Sequence, residues 1–486
     1  MVIGAGRHIA CSQQTQSTEI LGALRLLWRS VGHSTVVLTF FSDASASSRI
    51  SAIERRSTPI NQHQRRKCIM ATSFHFPSGF LWGAATAAHQ VEGNNINSDF
   101  WVMEYAPGSM FAEPSGDACD HYHRYRDDIA LLAGLGFNTY RFSVEWARIE
   151  PEEGHFSQAA LDHYRRMLAT CHEHGLTPMV TFHHFTSPRW LITAGGWESD
   201  ETPARFARYC ERTARHLGDL MGAACTINEA NIGAVLVNAG FLPPVGVTQQ
   251  TQWWTAASAT LGVAADHFAP FLFALSPHAA DLMLEAHRRG VEAIKSAASH
   301  VPVGITLALQ DIQAVPGGEV MAAQLNWQIN DAFLEQLQGE DFVGVQSYSR
   351  MRVGEDGPLP PEEGIEVTQM GYEFYPEALE AVIRYAIGKA HIPVIVTENG
   401  ISTSDDTRRI AYVERALQGV TRCLQDGLAV QGYMYWSALD NYEWMLGYRP
   451  TFGLIAVDRS TQQRTVKPSA RWLGAIARAN AFQQVV

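Results

Sequence analysis

The 486-residue sequence predicts a single α/β domain folded as a (β/α)8 barrel of the TIM type, and three observations point there. Short apolar, β-prone runs alternate with longer amphipathic stretches from about residue 74 onward, the pattern of a parallel sheet with helical crossovers. The runs number eight, the count that closes a barrel, and the length suits one barrel with loop insertions. No Gly-rich phosphate loop follows an early run, as an open doubly wound sheet would normally show.

In chain order, the expected strands are 80–91, 138–149, 177–185, 223–232, 301–309, 341–349, 392–399 and 430–439. Each is rich in Val, Ile, Phe, Tyr or Thr, residues that suit a pleated, buried surface. Between them, 122–135, 159–174, 202–217, 277–299, 324–338, 375–390 and 407–426 place apolar side chains at helical spacing. The expected domain therefore spans 71–486.

Residues 1–70 read differently. They are rich in Ser, Thr, Gln and Arg, without sustained periodicity, and end in Arg65-Arg66-Lys67. The segment carries nine Lys/Arg against three Asp/Glu, a local charge of +6, which leaves −18 of the total −12 on the remainder. An Arg-rich, Ser-rich, acid-poor leader fits a transit peptide, but Met70 opens a natural-looking start, which favours upstream sequence attached by a wrongly chosen initiation site. The apolar stretch 20–41 is interrupted by Arg25, Arg29 and His33 and lacks a clear cleavage site, so neither a membrane span nor export is expected. Net acidity argues against nucleic acid and anionic membrane surfaces as partners. The seven cysteines are scattered, without a Cys-x-x-Cys pair, which fits reduced thiols in the cytoplasm.

In such a barrel, reactive groups gather at the carboxyl ends of the strands. The fourth run contains Thr226-Ile227-Asn228-Glu229 and the seventh ends Val396-Thr397-Glu398-Asn399. Each sets a carboxylate where an apolar strand meets a loop, on strands placed to face each other across the mouth. Two facing carboxylates are what glycosidic cleavage requires: one protonates the departing oxygen while the other acts from the opposite side of the sugar. Neither His183-His184, on opposite faces of a strand, nor His121 and His123, two apart on a helix, can chelate one ion easily. No His-Glu-x-x-His motif is present, so neither metal nor cofactor is expected.

Those strand-end motifs, followed by Gly400, resemble the two signatures of glycoside hydrolase family 1, the β-glucosidase family. The resemblance extends to Phe80-Leu81-Trp82-Gly83, Gln90-Val91-Glu92-Gly93, Tyr140-Arg141-Phe142-Ser143 with Trp146, and Trp436-Ser437 through Glu443-Trp444, covering about 74–478. It implies a retaining β-glycosidase with Glu398 as nucleophile, Glu229 as general acid/base and Arg141 holding Glu398 ionised. Asn228 would bind the sugar 2-hydroxyl. Gln90, His184, Trp436, Glu443 and Trp444 would hold the non-reducing sugar, Tyr348 would touch the nucleophile and Phe452 would close the pocket. The implied substrate is a small β-glycoside or oligosaccharide with terminal β-glucose, β-galactose or β-fucose. Glu443 and Trp444 argue against a 6-phosphoglycosidase, and retention of Glu229 against a thioglucosidase. Trp190, Trp253 and Trp254 are candidates for the aglycone side.

Three departures from the family pattern stand out. Ala230 follows Glu229 in place of Pro, His183-His184-Phe185-Thr186 replaces a His-Trp-Asp sequence, and Gln346-Ser347-Tyr348 replaces Asn-Tyr-Tyr. None removes a catalytic group, but Gln346 bears on the support of the catalytic pair. A transglycosidase using the same intermediate, and a sugar-binding barrel without catalysis, are the alternatives.

Overall fold

The structure, a computed structural model, describes residues 71–243 and 245–485. The expected leader, 1–70, lies outside the described residues.

Eight parallel strands close into a barrel. They are β1 (Leu81–Thr86), β2 (Thr139–Ser143), β3 (Thr177–His183), β4 (Ala223–Ile227), β5 (Val303–Ala308), β6 (Phe342–Gln346), β7 (Val394–Asn399) and β8 (Val430–Trp436). Every strand pairs with its sequence neighbours, and β8 closes the ring onto β1 from Gly432↔Leu81 to Trp436↔Ala85. Each expected run therefore contains one barrel strand. The runs 80–91 and 138–149 overshoot, because short helices Ala88–Glu92 and Trp146–Ile149 follow directly. Their residues are buried at the mouth, so apolar character continues after strand geometry has ended.

The crossover helices are α1 (His121–Leu135), α2 (Gln158–Glu173), α3 (Thr202–Leu217) and α4 (Pro277–Ala297) in the first half. In the second half come α5 (Glu319–Asn326), α6 (Ala378–Ala390), α7 (Asp406–Gln425) and α8 (Pro468–Ala479). Their ends follow local chemistry. Ser157 and Ser276 accept the N–H groups of Ala160 and Ala279, and Asp405 accepts that of Thr407, so α2, α4 and α7 begin with satisfied donors. Proline opens α4 and α8, where its missing N–H costs nothing. Seven helices match the expected stretches, and α8 is an eighth. The poorest match is α5, which starts five residues before the expected 324 and passes through a π turn, Trp327–Asp331, into Ala332–Leu334. The π turn breaks the 3.6-residue spacing on which the sequence reading depends.

Period-two alternation sorts the strand side chains. Met179, Cys225, Phe342, Ile395 and Met434 fill the barrel lumen, while Val180, Val343, Val394, Val396 and Tyr433 face the helices in the main core. An antiparallel pair, Ala71–His75 with Ala481–Val485, ties the first described strand to the last. Among the described residues no helix is long and apolar enough to cross a membrane.

Candidate active site

The two strand-end carboxyls reach the mouth by different backbone devices. After β4, Asn228 donates its N–H to the His183 carbonyl at 2.8 Å, extending the ladder by one bond. Glu229 then turns out of line with φ 46°, a left-handed conformation costly for a residue with a Cβ. Its N–H is held by Thr306 Oγ1 at 3.0 Å, which fixes the turn. On β7 the device is a register shift between Val396 and Glu398. Ile395 points into the lumen and Val396 to the helices, so a regular strand would send Glu398 outward; the bulge re-aims it into the mouth. Gly400 follows because a Cβ there would sit 2.1 Å from the Trp436 carbonyl oxygen on β8.

Around Glu398 three donors converge. Arg141 Nη1 lies 2.6 Å and Gln346 Nε2 3.0 Å from Oε1, while the Tyr348 hydroxyl donates to Oε2 at 2.7 Å. The same arginine donates through Nη2 to Asn228 Oδ1 at 2.5 Å, and Gln346 and Thr306 donate there at 2.9 and 3.0 Å. That saturates the Asn228 oxygen and leaves its amide nitrogen to face His184 Nε2 at 3.2 Å. Since the amide can only donate, His184 accepts on Nε2 and is neutral, with its proton on Nδ1. Burial, with Arg141 nearby, keeps its pKa well below the usual imidazole value.

Glu229 has no side-chain hydrogen bond from any described residue. Burial first, then the charge of Glu398, pushes its carboxyl well above the ordinary range, against the pull of Arg141. Burial also raises Glu398; Arg141, the cation expected beside it, opposes that desolvation together with Tyr348 and Gln346 without fully cancelling it. The difference in surroundings still orders the pair, with Glu229 the more strongly protonated.

Beyond the pair, Gln90 Nε2 donates to Glu443 Oε2 at 3.1 Å and Trp436 Nε1 to Oε1 at 3.3 Å. Burial raises Glu443 to about 8, with Glu398 adding to the effect. The Gln90 side-chain amide oxygen, Oε1, is buried without a partner. The His184 ring lies nearly parallel to Trp436 and Trp444, with centroids 5.8 and 6.2 Å away. Phe452 meets Tyr348 edge-on at 5.9 Å. Glu229, Phe185 and Trp444 all have positive φ and all line the same cavity, of about 610 Å³.

Eight of the sequence-predicted residues line that cavity: His184, Glu229, Tyr348, Glu398, Trp436, Glu443, Trp444 and Phe452. Gln90, Arg141 and Asn228 lie behind its wall, bonded to residues that line it. Trp190, Trp253 and Trp254 do not line it. Trp253 and Trp254 are buried in the core, and Trp190 donates to the Glu150 carbonyl while packing on Trp146. Sequence reasoning missed Thr306, whose single hydroxyl serves both Asn228 and the Glu229 backbone; its only signal was a hydroxyl within the apolar run of β5. The change at strand three also has a counterpart: Thr186 donates to both Glu145 oxygens at 2.8 and 2.9 Å, so position 145 supplies a carboxyl beside it.

A barrel mouth holding two carboxyls of unequal basicity beside stacked indoles is the architecture of a sugar-cleaving enzyme. The family model of glycosyl hydrolase family 1 matches residues 72–340 and 346–482. Thermostable beta-glucosidase B of Thermobispora bispora is 32% identical over 468 residues, covering 85% of this chain and 93% of that protein. The bifunctional beta-D-glucosidase/beta-D-fucosidase of Bifidobacterium breve is 31% identical over 468 residues, covering 82% and 97%. The crystal structure of the beta-glycosidase BGL167 superposes with TM-score 0.81 at 59% identity, covering 83% of this chain and 97% of that one. The chain belongs to glycosyl hydrolase family 1. It is a retaining β-glycoside hydrolase.

Proposed function

We propose that Glu398 is the nucleophile and Glu229 the general acid/base for cleavage of a terminal, non-reducing β-D-glucosyl residue. The observation that carries this reading is the asymmetry of the pair: three donors, one cationic, on Glu398 and none on Glu229. A carboxylate so stabilised is ionised for attack, while a buried carboxyl facing that charge keeps its proton.

In the first step Glu398 bonds to the anomeric carbon as the glycosidic C–O bond breaks, and Glu229 gives its proton to the departing oxygen. Esterification removes the negative charge that adds to burial in raising the Glu229 pKa, which therefore falls. Glu229 then accepts a proton from water, whose oxygen displaces Glu398 and restores the original configuration. Asn228 Nδ2 keeps a hydrogen to donate to the 2-hydroxyl. Glu443 and the unpartnered Gln90 oxygen bind hydroxyls at the far end of the sugar, with Trp436 and Trp444 against its apolar face. The Bifidobacterium breve relative supports fucose as a second glycone. The five described cysteines are buried and unpaired, which supports the cytoplasm as its compartment.

Hydrolysis of p-nitrophenyl β-glucoside, with the product anomer followed by NMR, tests the assignment. Wild type is expected to release β-glucose. Glu398→Ala is expected to lose turnover and, with azide, to form the α-glycosyl azide; Glu229→Ala with azide is expected to form the β-azide. An inverted wild-type product, or turnover that survives loss of Glu398, would overturn the roles.

A further inference from the structure

The cavity continues outward from Glu229 well beyond the space one pyranose needs, and its outer wall differs in chemistry from its floor. The short helix Ile232–Asn238 presents Ile232 and Leu236, the following loop Phe241, and Met351, Leu359 and Leu446 add to the lining. Prolines 358, 360 and 361 complete one side, offering no backbone N–H. Phe241 and Leu359 are exposed at the rim, 39% and 41%, and carry the apolar lining out to the cavity mouth.

Several polar side chains on this wall already have partners within the protein. Asn238 donates to the Ala234 carbonyl at 2.8 Å. Arg350 pairs with Glu373 at 2.7 Å and lies over the Tyr375 ring, and Arg352 pairs with Glu362 at 2.6 Å. Gln310 remains with an amide to offer. A leaving sugar would bring several hydroxyls against leucine, methionine and proline, where a hydroxyl that loses water finds no replacement partner. A hydrocarbon leaving group gains from the same wall.

We propose that the aglycone site is built for an apolar alcohol, aliphatic or aromatic in skeleton, in preference to a second sugar. The inference rests on the hydrolase reading above, and adds the class of leaving group to it. In place of the three candidate tryptophans, this side carries a mainly aliphatic wall with Phe241 at its rim, which favours binding by burial of a hydrocarbon surface.

The test is kcat/KM for methyl, butyl, hexyl and octyl β-glucoside and for cellobiose, each below its micelle concentration. The alkanols leave with nearly equal basicity, so differences along the series report binding of the chain. The expected gain is about two- to fourfold per methylene within the cavity. Octyl glucoside should exceed methyl glucoside by at least about a hundredfold, and should exceed cellobiose. In Leu236→Gln the octyl-to-methyl ratio should fall about tenfold; a ratio does not depend on how much of the variant folds. A flat alkyl series, or cellobiose preferred over octyl glucoside by an active enzyme, would overturn the aglycone assignment alone. No turnover on any β-glucoside would overturn the hydrolase reading, and this inference with it.

Discussion

Three donors on one carboxylate give each a separable role. Arg141 supplies charge, Gln346 ties Glu398 to Asn228, and the Tyr348 hydroxyl at 2.7 Å occupies the remaining oxygen. In Tyr348→Phe the ring stays and that donor goes. A hydrogen bond to a charged group contributes about 1.5–3 kcal/mol, so kcat/KM is expected to fall about tenfold to a hundredfold. The bond from Tyr348 lowers the Glu398 pKa, and Glu398 must be ionised to attack, so the acid limb of the pH profile should move to higher pH. A fall in rate with an unmoved limb would show that Tyr348 only shapes the pocket. At this scale much of the site was legible in the sequence, because Glu229 and Glu398 sit where an apolar run stops. Thr306 was not legible: a threonine on a strand is ordinary, and only the approach of β5 to the end of β4 makes its hydroxyl a shared contact. Gln346 was visible as a departure, but its reach to both Asn228 and Glu398 depends on the register between β6 and β7.

Elements decide where those side chains point. Counting by twos along β7 sends Glu398 to the helices, and the bulge that reverses this leaves no mark in the composition of Val-Ile-Val-Thr-Glu-Asn. The eight runs gave the strand count because each contains a contiguous buried strand, and α3 matches 202–217 at both ends because Pro203 stands in its first turn and its apolar spacing runs unbroken to Leu217. Gly400 joins the levels. Its Cβ-less backbone lets the end of β7 approach the Trp436 carbonyl on β8, beside the indole that contacts Glu443. Gly400→Ala is expected to force those ends apart, lowering stability by about 1–3 kcal/mol and reducing kcat/KM in the folded fraction. Gly388→Ala at an exposed position of α6, where an added Cβ meets nothing within 4 Å, should be neutral or stabilising by about 0.5–1 kcal/mol. Thermal melts and initial rates on both variants separate the contact from the loss of glycine itself; equal behaviour would contradict the close approach.

Across the whole molecule, burial of acidic groups links the site to stability. Desolvation raises Asp99 to about 8, Glu145 to about 7 and Glu443 to about 8, so the folded protein holds protons that the unfolded chain releases near pH 4. For groups raised in the folded state, stability is complete below the unfolded pKa and is lost as pH rises through the folded one, by up to about 1.4 kcal/mol per pH unit per group. Buried His183 works oppositely: desolvation lowers it to about 3, and its contribution is lost as pH falls below about 6.5. The two trends oppose each other below that point; between about pH 6.5 and 8 the carboxyls act in one direction, together with His89, which Glu104 raises against burial. Wild-type melting temperature is expected to fall across that window. Asp99 Oδ1 accepts the N–H groups of Phe100 and Ser187 at 2.8 and 2.9 Å, and the side chain faces His89 and Glu145. Asp99→Asn keeps an acceptor for those N–H groups and removes the titration. Its new amide nitrogen takes the place of Oδ2, which is buried without a partner, so the variant should be less stable by about 1–3 kcal/mol at pH 6.5. Its melting temperature should nevertheless decline less between pH 6.5 and 8 than that of the wild type. Parallel declines in the two proteins would mean that Asp99 is already ionised in the folded state, and that the charge behind the barrel mouth is arranged differently.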